Sequence, residues 1–288
     1  MRTFAVLVAY RTDVGRLNAI LHVLAPQCPF VLADNSDDAS RAAAIRECVD
    51  RHGGVYVSMG GNRGIGAAQN AAVETAWRAD ADAVLLLDDD SVPASDVVGT
   101  LVALQARAGG DAVLCARALD GSGREIGNVR TNGRAVTPCR ELMSSGTLVT
   151  REIFERVGAF DESLFIDGVD FDWGWRARSL GVPILVSRDA SITHRLGEGS
   201  VGRVRVASPV RHYYQYRNVL RLMGRRHTPW GWRAAQAFKL PVKLLLIALL
   251  MNERRMRLRY ALAGIRDAAI GVTGKLSSPA RSSRAIAE

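Results

Sequence analysis

The 288-residue chain has little of what would mark a disulfide scaffold, a zinc module or a membrane-spanning protein. Its four cysteines, at 28, 48, 115 and 139, form no CxxC pair and have no histidine cluster beside them. Neither a disulfide framework nor a zinc site is expected, and the thiols read as buried and reduced. The apolar run Leu244–Met251 is only eight residues long, well short of the ~20 needed to cross a bilayer. Met1-Arg2-Thr3 leads directly into an apolar strand pattern without the layout of a signal peptide, so a cytoplasmic location is expected. No Gly-Lys-Ser/Thr follows the one glycine-rich loop, which excludes a Walker site. No internal repeat is visible.

What is present is an ordinary globular composition, 48% apolar and 23% charged, outside the disordered class. The length suits one large domain, or one domain and a tail. The net charge of +9 is unevenly spread. Residues 201–288 hold 18 Lys and Arg against three acids, or +15, while residues 1–200 sum to −6. A basic C-terminal segment suits nucleic acid or an anionic membrane surface. The acids of the body cluster in a few short segments, an arrangement that a nucleic-acid-binding protein would not need.

The run Thr3–Tyr10 reads as a strand buried on both faces, the signature of a parallel sheet. A helix over 14–25, a strand over 30–33, a helix over 39–52, a strand over 55–58, a helix over 66–78 and a strand over 83–87 follow. This alternation predicts a doubly wound, mostly parallel α/β sheet, with ligands beyond the C-terminal strand ends. Asp34 and Asp88-Asp89-Asp90 each stand just past such an end. From 91 to 200 the pattern is less regular. A helix is expected over 94–108, a strand over 112–118, a loop or hairpin over 121–140, a strand from 144 and a helix over 151–157. A helix over 170–180 and short strands over 183–187 and 190–194 complete it. Arg-studded helical patterns cover 208–224 and 230–270, and residues 275–288 read as a flexible tail.

Five constellations could carry chemistry. Asp88 and Asp90, alternate residues of an extended segment, can share a hard divalent cation while Asp89 faces elsewhere; the bland alternative is a solvated acidic turn, with Ser91 and Pro93 opening a helix. Asn62-Arg63-Gly64-Ile65-Gly66, running on to Asn70, permits close backbone approach, or serves as a tight strand-to-helix turn. Asp170 and Asp172 lie among aromatics that would raise a carboxylate towards general-base values. Asp172 can simply pair with Arg176 at i,i+4, whereas Asp170 has no obvious partner. His194 ends an apolar β pattern and could complete a mixed oxygen and nitrogen shell if it lands beside Asp90. Arg211–Asn218 interleaves arginine with tyrosine, either to stack on rings and contact phosphates or as an amphipathic helix with a tyrosine-lined inner face.

The order of these residues carries more than any one of them. Asp34-Asn35-Ser36, Asn62-x-Gly64-x-Gly66-x-x-x-Asn70, Asp88-x-Asp90, Ser145-Gly146, the run Phe160–Arg176 and His194-x-x-Gly197 together resemble the family 2 glycosyltransferases with the GT-A fold. Within that family the chain is most similar to bacterial rhamnosyltransferases that use dTDP-L-rhamnose. The resemblance spans about 3–223. It implies a catalytic domain over 1–205 (a nucleotide-binding half to about 92, an acceptor-side half beyond), a basic helical extension over 206–274 and the tail.

The resemblance further implies that Tyr10, Arg11, Asp34 and Asn35 hold the nucleoside, with Asn62, Gly64, Gly66, Asn70 and Asp89 also on the nucleotide-sugar side. Asp88, Asp90 and His194 would hold Mg²⁺ or Mn²⁺. Asp170, or Asp172, would be the base of an inverting transfer. Ser145, Gly146, Asp167, Trp173 and Arg176 would line the acceptor or donor-sugar side. Val169 stands where the family usually has an acid, so Asp167 or Asp172 could share that acid's work. Rival donors are UDP-galactofuranose, UDP-glucose and UDP-N-acetylglucosamine; a rival of another class is a nucleic-acid-binding protein using the basic C-terminus. The acceptor implied is a saccharide or lipid-linked saccharide in cell-surface polysaccharide assembly. The stretch 239–259, apolar and flanked by Lys and Arg, suits peripheral contact at the inner face of the membrane; the alternative is a helix packed on the catalytic domain or on a homodimer partner.

Overall fold

The computed structural model describes residues 1–126, 131, 133–194, 200–201, 204–205 and 208–277. Its first half is the alternation expected. Strands β1 (Thr3–Ala9), β2 (Phe30–Asp34), β3 (Val55–Ser58) and β4 (Ala83–Asp88) pair in parallel in the order β3-β2-β1-β4. Helices α1 (Val14–Leu24), α2 (Ala39–Arg51) and α3 (Ile65–Arg78) cross between them. Every residue of β1 is buried because alternate side chains enter different cores. Phe4, Val6 and Val8 pack with Ala68, Ala72 and Ala76 of α3 on one face. Ala5 and Leu7 pack with Leu17 and Leu21 of α1 and Ile45 of α2 on the other. Asp13 and Asp38 cap α1 and α2 by accepting from their first-turn amides.

The second half departs from the mostly parallel expectation. After β5 (Ser91–Pro93) and α4 (Val97–Arg107) come β6 (Val113–Leu119), β7 (Val136–Pro138) and β8 (Thr147–Thr150), then α5 (Arg151–Val157), α6 (Val169–Ser179) and β9 (Ile184–His194). Strand β8 lies antiparallel between β4 and β6, while β5 and β7 pair antiparallel with β9; only β6 and β9 are parallel here. The chain reaches β8 through a loop, and parallel pairing needs a long crossover. Residues 127–130 and 132 of that loop lie outside the described residues.

Two local expectations are corrected. Ser91–Pro93 does not open a helix: Pro93 disfavours helical backbone before it, and the three residues pair with β9 instead, Ser91 opposite His194. The two strands expected at 183–187 and 190–194 are one. Its register against β6 shifts after Ser187, a bulge in which the Ser187 hydroxyl accepts from the amides of Asp189 and Ala190 at 3.1 Å each. All four cysteines are buried and free, as expected.

The helical pattern 208–270 becomes α7 (Pro209–Met223), α8 (Trp230–Leu250) and α9 (Arg254–Ala269), with Glu253 at φ 55° breaking the last two apart. Helix α7 shares the main core through Leu222, and Phe165 stacks on its Tyr214 with ring centroids 5.0 Å apart. Helix α9 lies against α7 so closely that a Cβ on Gly264 would fall 2.4 Å from the Tyr213 carbonyl oxygen. Of the expected flexible tail, 275–277 fold back, the Leu276 amide donating to the Tyr214 hydroxyl at 3.0 Å; 278–288 lie outside the described residues. No helix among the described residues is long and apolar enough to cross a membrane.

One buried histidine links this packing to pH. His212 of α7 is 1% exposed and faces Lys243 and Arg257, the latter lying 3.1 Å from its Nε2. Burial, and then these two cations, hold it down at about 4, against roughly 6.5 in an unfolded chain. Between those values the unfolded chain binds more protons, so the stability that neutral His212 contributes is present above pH 6.5 and lost as the pH falls towards 4. Urea unfolding at pH 7.5 and pH 5 should show the wild type losing about 1–2 kcal/mol more than His212→Gln. Equal losses would contradict the assignment.

Candidate active site

Register brings the acids to one rim. Val8 of β1 stands beside Asp88 of β4, and Ala9 beside Asp34 of β2, so Asp34 and Asp88 flank β1 at roughly 10 Å, two strand spacings. Asp34 is buried, accepting from the Ser36 amide at 3.0 Å and the Tyr56 hydroxyl at 2.8 Å. Beside it, Asn35 and Asn62 lock their loops together: the Asn35 amide nitrogen donates to Asn62 at 3.2 Å, and its oxygen accepts from the Arg63 amide at 2.7 Å. Asp89 turns back to accept from the Tyr10 amide at 3.1 Å. Arg11 is taken by Asp37 in a two-point exposed pair.

A cavity of about 210 Å³ has Tyr10, Asn35, Asn62, Gly64 and the acids 88–90 among its walls. A second, of about 770 Å³, runs from Asp88, Ser144 and Asp170 towards α7 and α8. Asp88, Ile65 and Ile166 line both. Ser145 fixes the junction, its hydroxyl accepting from the Asp88 amide at 3.1 Å. The acids crowd one another. Burial first, then Asp90, Asp89 and Asp170, push Asp88 up to about 7, while burial raises Asp89 to about 6. The β5–β9 pairing sets His194 Nδ1 at 3.2 Å from Asp90 and 3.0 Å from the Ser91 hydroxyl.

Asp170 lies in the first turn of α6, behind Gly168 at φ 90°. It accepts from the Phe171 amide at 3.0 Å, and burial raises it to about 6. The loop before it is held from both sides. The Ile65 amide donates to the Phe165 carbonyl at 2.8 Å, an approach open only because residue 64 is glycine: a Cβ there would sit 2.7 Å from that oxygen. From α7, Asn218 donates to the Leu164 and Asp167 carbonyls at 2.8 and 3.0 Å. Arg217, packed over the rings of Tyr213 and Tyr214, adds a bond to Leu164 at 2.9 Å. These contacts hold Phe165 and Asp167 at positive φ, 66° and 65°.

Comparison with known proteins decides the class. Residues 29–162 match the model of glycosyl transferase family 2. The chain is 29% identical to dTDP-rhamnosyl transferase RfbF of Shigella flexneri over 291 residues, 94% of this chain and 96% of that protein. Both findings support a family 2 glycosyltransferase. Solved structures share its fold: S. aureus TarS 1-349 with UDP-GlcNAc at a TM-score of 0.62 and 16% identity, covering 93% of this chain and 81% of that one. The mannosyltransferase PcManGT of Pyrobaculum calidifontis, with GDP-Man and Mn²⁺, follows at 0.56 and 15%, covering 98% and 77%. The fold is GT-A-like, with a mixed central sheet and a helical C-terminal region.

In this glycosyltransferase several expected site residues lie away from the cavities. Asp172 is fully buried and bonded to Arg176 at 3.1 Å, to His227 at 2.7 Å and to Arg225, which also reaches Asp161. Arg176 is spent on that pair and on the Val157 and Ala159 carbonyls. Trp173 packs between Phe154 and Phe160 and donates to the Gly158 carbonyl. Asn70 clasps Phe160 at both its amide and its carbonyl. Gly66 faces the Asp161 carbonyl, and Gly146 packs on Ala116 and Ile192. Asp167 lines the larger cavity but is paired with Arg211 at 2.7 Å. Asp34 opens on a separate groove with Ser36, Tyr56 and Ser58.

Among the described residues no three His, Cys, Asp or Glu form a ready-made ion cage. Asp88, Asp90 and His194 nevertheless fit a divalent cation that arrives with phosphate oxygens, since Mg²⁺ usually takes one or two carboxylates and completes its shell from substrate and water. Sequence reasoning missed Gln69, Ser144, Ile166, Asn218 and Lys243 as walls of the larger cavity; the Arg211–Asn218 run was the only signal for α7's part.

The network around Asp172 separates the two candidate bases. Asp172→Asn strips the carboxylate charge from three basic partners in the interior and should cost ~3–5 kcal/mol in urea unfolding, with kcat per folded molecule little changed. An unaltered unfolding midpoint would contradict this placement.

Proposed function

We propose that the enzyme moves L-rhamnose from dTDP-L-rhamnose, with inversion, onto a hydroxyl of a saccharide or lipid-linked saccharide in cell-surface polysaccharide assembly. It would work at the inner face of the membrane, touching it through 239–259. The donor assignment is supported by likeness to a dTDP-rhamnosyl transferase along nearly the whole chain. The observation that carries the mechanism is Asp88 at the junction of two cavities, one running to Asn35 and Tyr10, the other holding Asp170.

The smaller cavity, with Asn35, Asn62 and the acids 88–90 in its wall, would take the diphosphate end of the donor together with a cation. Asp88 and Asp90, with His194 against Asp90, would hold Mg²⁺ or Mn²⁺. When bound, such a cation neutralises the charge that develops on a leaving diphosphate. Asp170 takes the proton from the acceptor hydroxyl, whose oxygen forms a bond to the anomeric carbon from the face opposite the leaving group. The bond from that carbon to the diphosphate breaks, and dTDP departs with the electron pair. A carboxylate raised to about 6 is ionised at neutral pH, yet a better proton acceptor than an exposed aspartate. Burial inside the α6 turn and the clasp from α3 and α7 keep Asp170 aimed into the cavity with little reorganisation.

A donor screen reading nucleoside diphosphate release tests the assignment. Release of dTDP from dTDP-L-rhamnose should exceed release from UDP-galactofuranose, UDP-glucose and UDP-N-acetylglucosamine. Preference for a UDP-sugar would move the donor, and no release from any of them would remove the transferase reading. Asp170→Asn should retain donor affinity and lose at least ~10² in kcat; an unchanged kcat would remove Asp170 as the base.

A further inference from the structure

Beyond the carboxylates, the 770 Å³ cavity continues to α8, where its wall changes character. Lys239 and Lys243, one helical turn apart, line it together with Arg211 of α7. In this half the acid is Asp167, already in a two-point pair with Arg211. Lys243 is half-buried and bonded to the side-chain oxygen of Gln215, an amide without charge. Three cations thus face one acid.

The same helix is apolar outward. Phe238 is 73% exposed, Leu245 58%, Leu249 62% and Leu250 76%, and Ile247 is its one buried residue. Val242 and Leu246, also exposed, join Phe238 at the cavity wall. A contiguous apolar face of this kind on a water-exposed helix marks an interaction surface, and here its edge meets the lysine-bearing α8 wall of the cavity.

A free anion would satisfy the lysines and leave Phe238, Val242 and Leu246 in water. A plain hydrocarbon would cover those side chains and press against ammonium groups that need counter-charge. One ligand carrying both parts satisfies both. We propose that the α8 half of this cavity binds the phosphate of a long-chain lipid phosphate between Lys239, Lys243 and Arg211, with the hydrocarbon leaving along Phe238, Val242 and Leu246. A saccharide carried on that phosphate then points along the cavity to Asp170. The inference rests on the proposed transfer only in calling this ligand the acceptor; the binding site stands on the charge and lining of α7 and α8.

Farnesyl phosphate, kept below its micelle-forming concentration, is the probe. It is titrated calorimetrically into the full chain beside farnesol and inorganic phosphate, with dTDP as a separate reading of the donor side. Farnesyl phosphate should bind at least ~10-fold more tightly than either fragment. Lys243→Gln and Lys239→Gln should each weaken it by ~10-fold, the scale of one charge-assisted hydrogen bond, and leave dTDP affinity unchanged. Equal binding of inorganic phosphate would make this a free-anion site, and equal binding of farnesol an apolar groove; either overturns the proposal. So does a dimer by sedimentation that occludes the probe, which would make α8 the seat of a second copy. Loss of farnesyl phosphate binding alone sinks the lipid site and spares the transfer reaction, whereas failure to bind dTDP strikes the transfer reading instead.

Discussion

The end of β4 carries the constraint on which the rest depends: more negative charge in one enclosed place than the protein itself neutralises. Asp88 is squeezed by burial and by Asp90, Asp89 and Asp170 until it holds its proton to about pH 7. A fold built only for stability would have no use for that repulsion. It is tolerable here because β1 and β4, buried throughout their inner lengths, fix the rim, and under the proposed function the cost would fall away when a cation and a diphosphate enter.

The opposite wall obeys a different rule. Asp170 opens α6 directly behind a loop with two non-glycine residues at positive φ, a conformation that costs free energy and persists only when its surroundings impose it. The imposition comes from α3 through the Gly64 approach and from α7 through Asn218 and Arg217. Helix α7 is in turn pinned by α9 at Gly264 and by Tyr213, whose hydroxyl donates to the buried Asp267 at 2.8 Å. The basic C-terminal segment is therefore a structural part of the wall that holds Asp170, and its Arg217, Arg211 and Arg225 are committed to Leu164, to Asp167 and to Asp161 and Asp172 within the chain.

The parallel half of the sheet was legible because β1, β2 and β4 are apolar runs, the last two ending in acids, and position at a strand end needs no long-range information. The Asp90–His194 neighbourhood was legible only as a condition, since the three-residue strand Ser91–Pro93 creates it and a segment that short leaves no periodicity. Asp172 was legible as the i,i+4 partner of Arg176, whereas Asn70 and Trp173 were legible as members of ordered motifs but not as interior residues. Their partners, Arg225, His227 and the Phe160 backbone among them, are brought in from far along the chain. The α8 wall was legible as an amphipathic helix, while its position over the larger cavity follows from the packing of α7 and α9, which no local pattern encodes.

The central claim is that the carboxylates at the end of β4 act by sharing a cation with a diphosphate. Calorimetric titration of dTDP into the protein with saturating Mn²⁺ and again with excess EDTA tests it most directly. The account predicts affinity at least ~10-fold higher with the metal, and loss of that difference in Asp90→Asn. Equal dTDP affinity in Mn²⁺ and in EDTA would contradict it.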